Sequence, residues 1–148
     1  MYLVDTNVLS AGAPTGAVAL PALLAWMDHN SARLYLSVIT VAEMEDGIAK
    51  SRRLKAHRKA ERLSEWLETV LHLYGSRVLP LDVQTARRVG ILSDLARGQG
   101  HAPGLADLAI AATAQKHDFT ILTRNLRHFG PWGVAALDPF EMLPAMGQ

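Results

Sequence analysis

Met1-Tyr2-Leu3-Val4-Asp5-Thr6-Asn7 opens the chain with four apolar, strand-forming residues that run straight into a turn or helix-cap cluster. A buried first strand from Met1 to Val4 is the expected reading, with Asp5 just beyond its carboxyl end. Working outward, Leu20, Leu23, Leu24 and Met27 recur at helical spacing within Gly16 to His29, and Pro21 is tolerable in a first turn. Leu34 to Ser37 is a second strand, and Thr40 opens an apolar-periodic segment. A helical stretch from about Leu54 to Tyr74 carries Leu63, Leu67, Val70, Leu71 and Tyr74 on one face and stops at Gly75. Arg77 to Leu81 is a third short strand, Asp82 to Arg97 a helix, Gly98 to Gly104 a loop, and Leu105 to His117 an alanine-rich helix. Thr120 to Thr123 is a fourth strand, Arg124 to Gly133 a polar loop, and Val134 to Leu137 a fifth strand. Short apolar strands alternating with helices predict an α/β fold, a five-stranded parallel sheet covered by helices on both faces.

The chain has 148 residues, enough to bury roughly 70% of its unfolded surface around one core, so residues 1–148 are expected to form a single domain. Hydrophobic residues at 49% against charged ones at 20% exclude an intrinsically disordered chain. Cysteine is absent, which excludes a disulfide framework, a thiolate nucleophile and any Cys-based metal site. A bound metal would have to sit on oxygen or imidazole. The apolar stretch from Val18 to Met27 is interrupted by Pro21 and reaches only about half of the ~20 residues a spanning helix needs. Asp5 stands where a signal peptide would continue, so the expected compartment is the cytoplasm, with no membrane association.

In an open parallel sheet the ligand site lies beyond the carboxyl ends of the strands, which draws attention to the polar residues there. Asp5 follows strand one, Glu43 lies six residues past Ser37, Asp107 begins a helix after a glycine-rich loop, and Asn125 ends the tail behind strand four. Each has a structural alternative. Asp5 could cap a turn at Thr6 to Leu9. Thr40-Val41-Ala42-Glu43 matches a capping box, and Asp107 could complement a helix dipole. Together they form an oxygen-only set suited to hard cations such as Mg²⁺ or Mn²⁺, which polarise phosphoryl oxygens and acidify bound water. That chemistry is phosphodiester hydrolysis.

Four segments carry a family resemblance: Tyr2 to Leu9, Leu36 to Glu43, Ala106 to Ala114, and Leu122-Thr123-Arg124-Asn125 with Phe129. In order and spacing they resemble the successive motifs of PIN-domain ribonucleases, most like the VapC and FitB-like toxins of toxin-antitoxin pairs. The resemblance runs to Leu137-Asp138-Pro139. It implies a Mg²⁺- or Mn²⁺-dependent endoribonuclease in which Asp5, Glu43 and Asp107 bind metal. Many relatives carry an aspartate where this chain has Asn125, an amide that can ligate or orient water but brings no charge and no base. Thr6 and Thr123 would be hydroxyls that orient the carboxylates. The resemblance further implies an RNA substrate, a homodimer, and a VapB-like antitoxin through which any DNA contact is made.

Net charge is only +1, yet Lys50 to Arg62 holds seven cations against the single acid Glu61, +6 in thirteen residues. The remainder of the chain therefore carries −5. Such a strip either binds RNA, with Arg52, Arg53, Lys55, Arg58, Lys59 and also Arg124 on phosphates, or is a solvated face paired with Glu65 and Glu68. The six histidines show no ligand spacing. Trp26 and Trp66 read as core or interface residues, and Trp132 as either core or a stacking platform. Two other classes stay open. An aspartyl-nucleophile phosphatase of the haloacid-dehalogenase kind would want a second aspartate where Asn7 stands, and a PIN-like RNA- or partner-binding module with weak or no turnover would fit Asn125.

Overall fold

The computed structural model describes residues 1–14 and 20–145. The expected helix from Gly16 therefore begins outside the described residues; from Pro21 to His29 it is present as α2, with Pro21 in its first turn. The first strand, β1 (Tyr2–Val4), leads into the one-turn helix α1 (Thr6–Leu9). After α2 come β2 (Leu34–Ser37), α3 (Val38–Arg53), α4 (His57–Tyr74) and β3 (Val78–Leu79). Next are α5 (Val83–Gly98), α6 (Leu105–His117), β4 (Thr120–Leu122), α7 (Leu126–Phe129) and β5 (Ala136–Leu137).

All strand pairs are parallel, in the order β3-β2-β1-β4-β5. β1 lies at the centre, with Leu3 opposite Tyr35 on one side and Ile121 on the other. Because successive strand residues face opposite ways, the two layers of core divide residue by residue. Leu3 and Ile121 join the alanines of α6, Leu92 and Phe129 on one face. Val4 and Leu122 join Leu34, Leu36, Trp26 and Val70 on the other. α6 is buried almost all round, from Leu108 to Ala114, and its small side chains let it lie close to the sheet.

Three local expectations are corrected. The long helix starts at His57 rather than Leu54, since the chain turns at Leu54 to Ala56 with Lys55 at a positive φ of 61°. The third and fifth strands shorten to two residues each. Arg124 to Gly133 is not a polar loop: it contains α7 and a 3₁₀ turn, with Phe129 fully buried and Trp132 nearly so. Trp132 Nε1 donates to Leu92 O at 3.1 Å, which fixes it as a core residue.

Asp82 caps α5, its Oδ1 accepting from Thr85 N at 2.8 Å and its Oδ2 from Lys116 Nζ. The Lys116 ammonium, and then the Thr85 bonds, hold this carboxyl well below the usual carboxylate range. A group more acidic in the folded chain stabilises it above the ordinary carboxylate pKa, and that contribution is lost as the pH falls through the folded value. Asp82→Ala is expected to lower Tm at neutral pH, with the gap to wild type narrowing in acid. A gap that did not change with pH, followed by circular dichroism, would assign the effect to helix geometry alone.

Candidate metal and catalytic centre

The strand order reverses direction of travel between β1 and β4, so the crevice at their carboxyl ends is the switch point where open α/β sheets take ligands. Asp5 stands there, its N–H donating to Leu122 O at 2.9 Å. Its carboxylate is divided between two tasks. Oδ1 accepts from Thr6 N at 2.8 Å and caps α1, while Oδ2 accepts from Thr123 Oγ1 at 2.8 Å. Thr123 Oγ1 in turn accepts from Asn125 N at 3.0 Å. The cap role and the place in the crevice therefore coexist. Asp5 is only 6% exposed. Burial pushes its carboxyl above the usual range, the bonds from Thr123 and Thr6 oppose that, and the nearby charges of Asp107 and Glu43 add to it.

Glu43 does not close a capping box. α3 begins two residues before Thr40, where Ser37 Oγ caps it by accepting from Ile39 N at 3.0 Å, so Thr40 lies inside the helix and is fully buried. Glu43 Oε1 instead accepts from Thr6 Oγ1 at 2.7 Å, and Thr6 Oγ1 is 3.2 Å from Thr40 Oγ1. Thr6 thus links α1 to α3 through its hydroxyl and donates its amide N–H to the Asp5 cap, holding Asp5 and Glu43 on one edge. Asp107, half-buried in the first turn of α6, reaches the same edge, as its effect on Asp5 shows. Glu45 and Asp46 are exposed on α3.

The spacing of His128 gives it no role. It sits on α7 with Nδ1 2.9 Å from Asp107 Oδ2. Nothing in a pattern of local periodicity could have found this contact, because it joins residues 21 apart across two elements. Asn125 is exposed at the start of α7, and its side chain makes no capping bond. Arg124 stacks its guanidinium 4.4 Å from the centre of the Phe140 ring.

The basic strip wraps the corner between α3 and α4. Arg52, Arg53, Lys55, Arg58, Lys59 and Arg62 are all exposed, and among the described residues none of them is ion-paired, to Glu65 or Glu68 or to any other acid. Lys50 and Lys59 border a cleft of about 620 Å³ that runs from Thr6 and Glu43 to Trp66. The strip and the carboxylate edge are therefore continuous.

Among the described residues no three His, Cys, Asp or Glu side chains stand close enough to share one ion. Mg²⁺ does not demand that, since it is usually held by one or two carboxylates together with waters and substrate phosphate. The donors are all oxygen, and the burial and, after it, the neighbouring charges that raise Asp5 both disfavour an anion that a divalent cation would stabilise. The residues present fit such an ion.

A family model described as PIN domain matches residues 2–129. VapC ribonuclease Y4jK of Sinorhizobium fredii is 37% identical over 146 residues, covering 95% of this chain and 99% of the relative. Toxin FitB of Neisseria gonorrhoeae is 36% identical over 143 residues, with 95% and 99% covered. The crystal structure of FitAcB from Neisseria gonorrhoeae superposes with a TM-score of 0.83 at 35% identity, covering 96% of this chain and 100% of that one. DNA-bound VapBC from Salmonella typhimurium shares the fold, with a TM-score of 0.76 at 24% identity over 93% and 96% of the two chains.

Proposed function

The chain belongs to the PIN-domain family, and on that premise we propose that it is a divalent-metal-dependent endoribonuclease, the toxin of a toxin-antitoxin pair. The observation that carries this reading is the crevice itself: a buried Asp5, its carboxyl raised by that burial and further by the charges of Asp107 and Glu43, at the switch point of the sheet. Asp5 and Asp107 would hold Mg²⁺ or Mn²⁺, with Glu43 completing the acidic edge. Such an ion, when bound, offsets charge on the phosphoryl group and lowers the pKa of water near it.

The chain's own residues do the positioning. Thr123 fixes one oxygen of Asp5, and Thr6 fixes the other through its amide while holding Glu43 through its hydroxyl. Asn125, without charge, serves to orient water or a phosphate oxygen rather than to take a proton. The basic corner, with Arg52, Arg53, Lys55, Arg58 and Lys59, supplies the attraction for a polyanion that an acidic crevice cannot. Arg124, stacked on Phe140, is placed to add one more phosphate contact beside the crevice.

The partner is a VapB-like antitoxin, as in the FitAB and VapBC complexes formed by its structural relatives, and DNA is reached only through that partner. Val83, Ile91 and Leu95 leave exposed apolar surface along α5, which suits a second copy of the chain in a homodimer. Among the described residues no helix is long and apolar enough to cross a membrane.

The test is RNA cleavage by the purified chain with Mg²⁺ or Mn²⁺, with and without EDTA. Cleavage that EDTA stops supports the reading, and cleavage indifferent to EDTA overturns the metal. RNA bound but never cut would select a PIN-like binding module instead. Reversing Arg52, Arg53 and Lys55 to glutamate is expected to weaken RNA binding at least tenfold and to flatten its dependence on salt, because each phosphate contact contributes a counterion-release slope of about 0.7 on single strands. An unchanged slope would return the strip to a solvated face.

A further inference from the structure

Asp107 also borders a second cleft, of about 470 Å³, to which no residue of the basic strip contributes. It shares no lining residue with the first cleft: Glu43 borders the first and Asp107 the second. Its walls combine two kinds of chemistry. His101, Arg127 and His128 bring nitrogen donors, and Pro103 and Trp132 bring apolar surface. Asp107 is its one acidic lining residue, and that carboxylate already faces His128 Nδ1 at 2.9 Å. Arg127 and His101 are exposed and, among the described residues, make no ion pair.

Cationic and imidazole donors beside an apolar wall, in a space within the usual range of small-ligand sites, suit a nucleotide: phosphate on the donors, sugar and base against Pro103. An enzyme that cuts within a strand must also hold the strand on both sides of the scissile phosphate. The first cleft offers Lys50 and Lys59 beside Glu43, and the second offers Arg127 beside Asp107. We propose that the cleft bounded by His101, Asp107, Arg127 and His128 is a nucleotide subsite for the RNA strand as it leaves the carboxylate edge, with Arg127 and His101 on the phosphate. The inference rests on the ribonuclease reading for the identity of the strand. His128 has the further task of holding Asp107 on the wall of this cleft, which makes it a positioning residue.

The experiment measures binding and cleavage separately. A fluorescein-labelled single-stranded RNA of ten nucleotides is titrated with the full chain in EDTA, across a salt series, for wild type, Arg127→Ala, His101→Ala and Arg127→Lys. Loss of the Arg127 contact is expected to weaken binding about tenfold and to make the salt slope shallower by about 0.7, with Arg127→Lys recovering most of the slope. His101→Ala is expected to weaken binding less. Both positions are exposed, so circular dichroism should show folded variants. Cleavage with Mg²⁺ then reads the parent hypothesis: an active wild type whose variants bind and cut like it overturns the subsite and leaves the ribonuclease. A wild type that binds RNA through Arg127 but never cuts keeps the subsite and overturns the ribonuclease, and one that neither binds nor cuts overturns both.

Discussion

Asp5→Asn is expected to reduce RNA cleavage by at least roughly 100-fold, since stabilisation of phosphoryl charge by a bound ion is worth several kcal/mol of the barrier. The same substitution should change how stability depends on pH, and with a sign that separates it from simple damage. Burial, with the charges of Asp107 and Glu43, raises the carboxyl above its ordinary value in the folded chain. A group raised on folding stabilises fully below its unfolded pKa, and that contribution is lost as the pH climbs through the folded value. The metal-free wild type should therefore lose stability as the pH rises above the ordinary carboxylate range, and the variant should lose less. At neutral pH, Mg²⁺ or Mn²⁺ should raise the Tm of wild type, because a ligand that binds only the folded state stabilises it, and the rise should vanish in the variant. Calorimetry with and without the ion checks this. A metal-induced rise of equal size in both chains would remove Asp5 from the metal site.

Phe129→Ala carries the second large effect, about 3–5 kcal/mol of lost stability, the usual cost of emptying a fully buried aromatic position. Phe129 is 0% exposed and meets Trp132 edge-on, with ring centroids 6.1 Å apart, in the core layer that holds Leu3 and Ile121. It also anchors α7, the four-residue helix that carries His128 and follows Asn125. A short helix has little stability of its own and depends on such packing. Cleavage should therefore fall even where the variant remains folded, as the contact between His128 and Asp107 loosens. Phe129→Leu keeps most of the volume and should cost much less. Urea denaturation that placed Phe129→Ala within about 1 kcal/mol of wild type would mean that α7 hangs free of the core.

The fate of Arg124 to Gly133 shows where a linear reading fails. Gly130, Pro131 and Gly133 are breakers, and with two aromatic residues among them the segment has no period of either kind, so it reads as loop. What decides its structure is a space beneath α5 and α6 that only those packed helices create, and Phe129 and Trp132 fill it. The capping box at Thr40 failed for a related reason. Ser37 offered a cap three residues earlier, at the end of β2, and once the helix started there Thr40 turned inward and Glu43 was free to meet Thr6.

By itself the sequence determined the alternation of strands and helices, the parallel sheet, the ends of β2 and α6 to the residue, and the types of side chain at the carboxyl edges. These follow from period, caps and breakers, which act over a few residues and are written in the residues themselves. Tertiary structure alone decided which of those side chains meet. The bond from Thr123 to Asp5 spans 118 residues, that from Thr6 to Glu43 spans 37, and the contact between His128 and Asp107 spans 21. Each depends on the register of the sheet and on the rotation of a helix about its axis, quantities set by packing the whole core. The two clefts that Glu43 and Asp107 border belong to the same class, because a cleft is made by elements that share no local sequence.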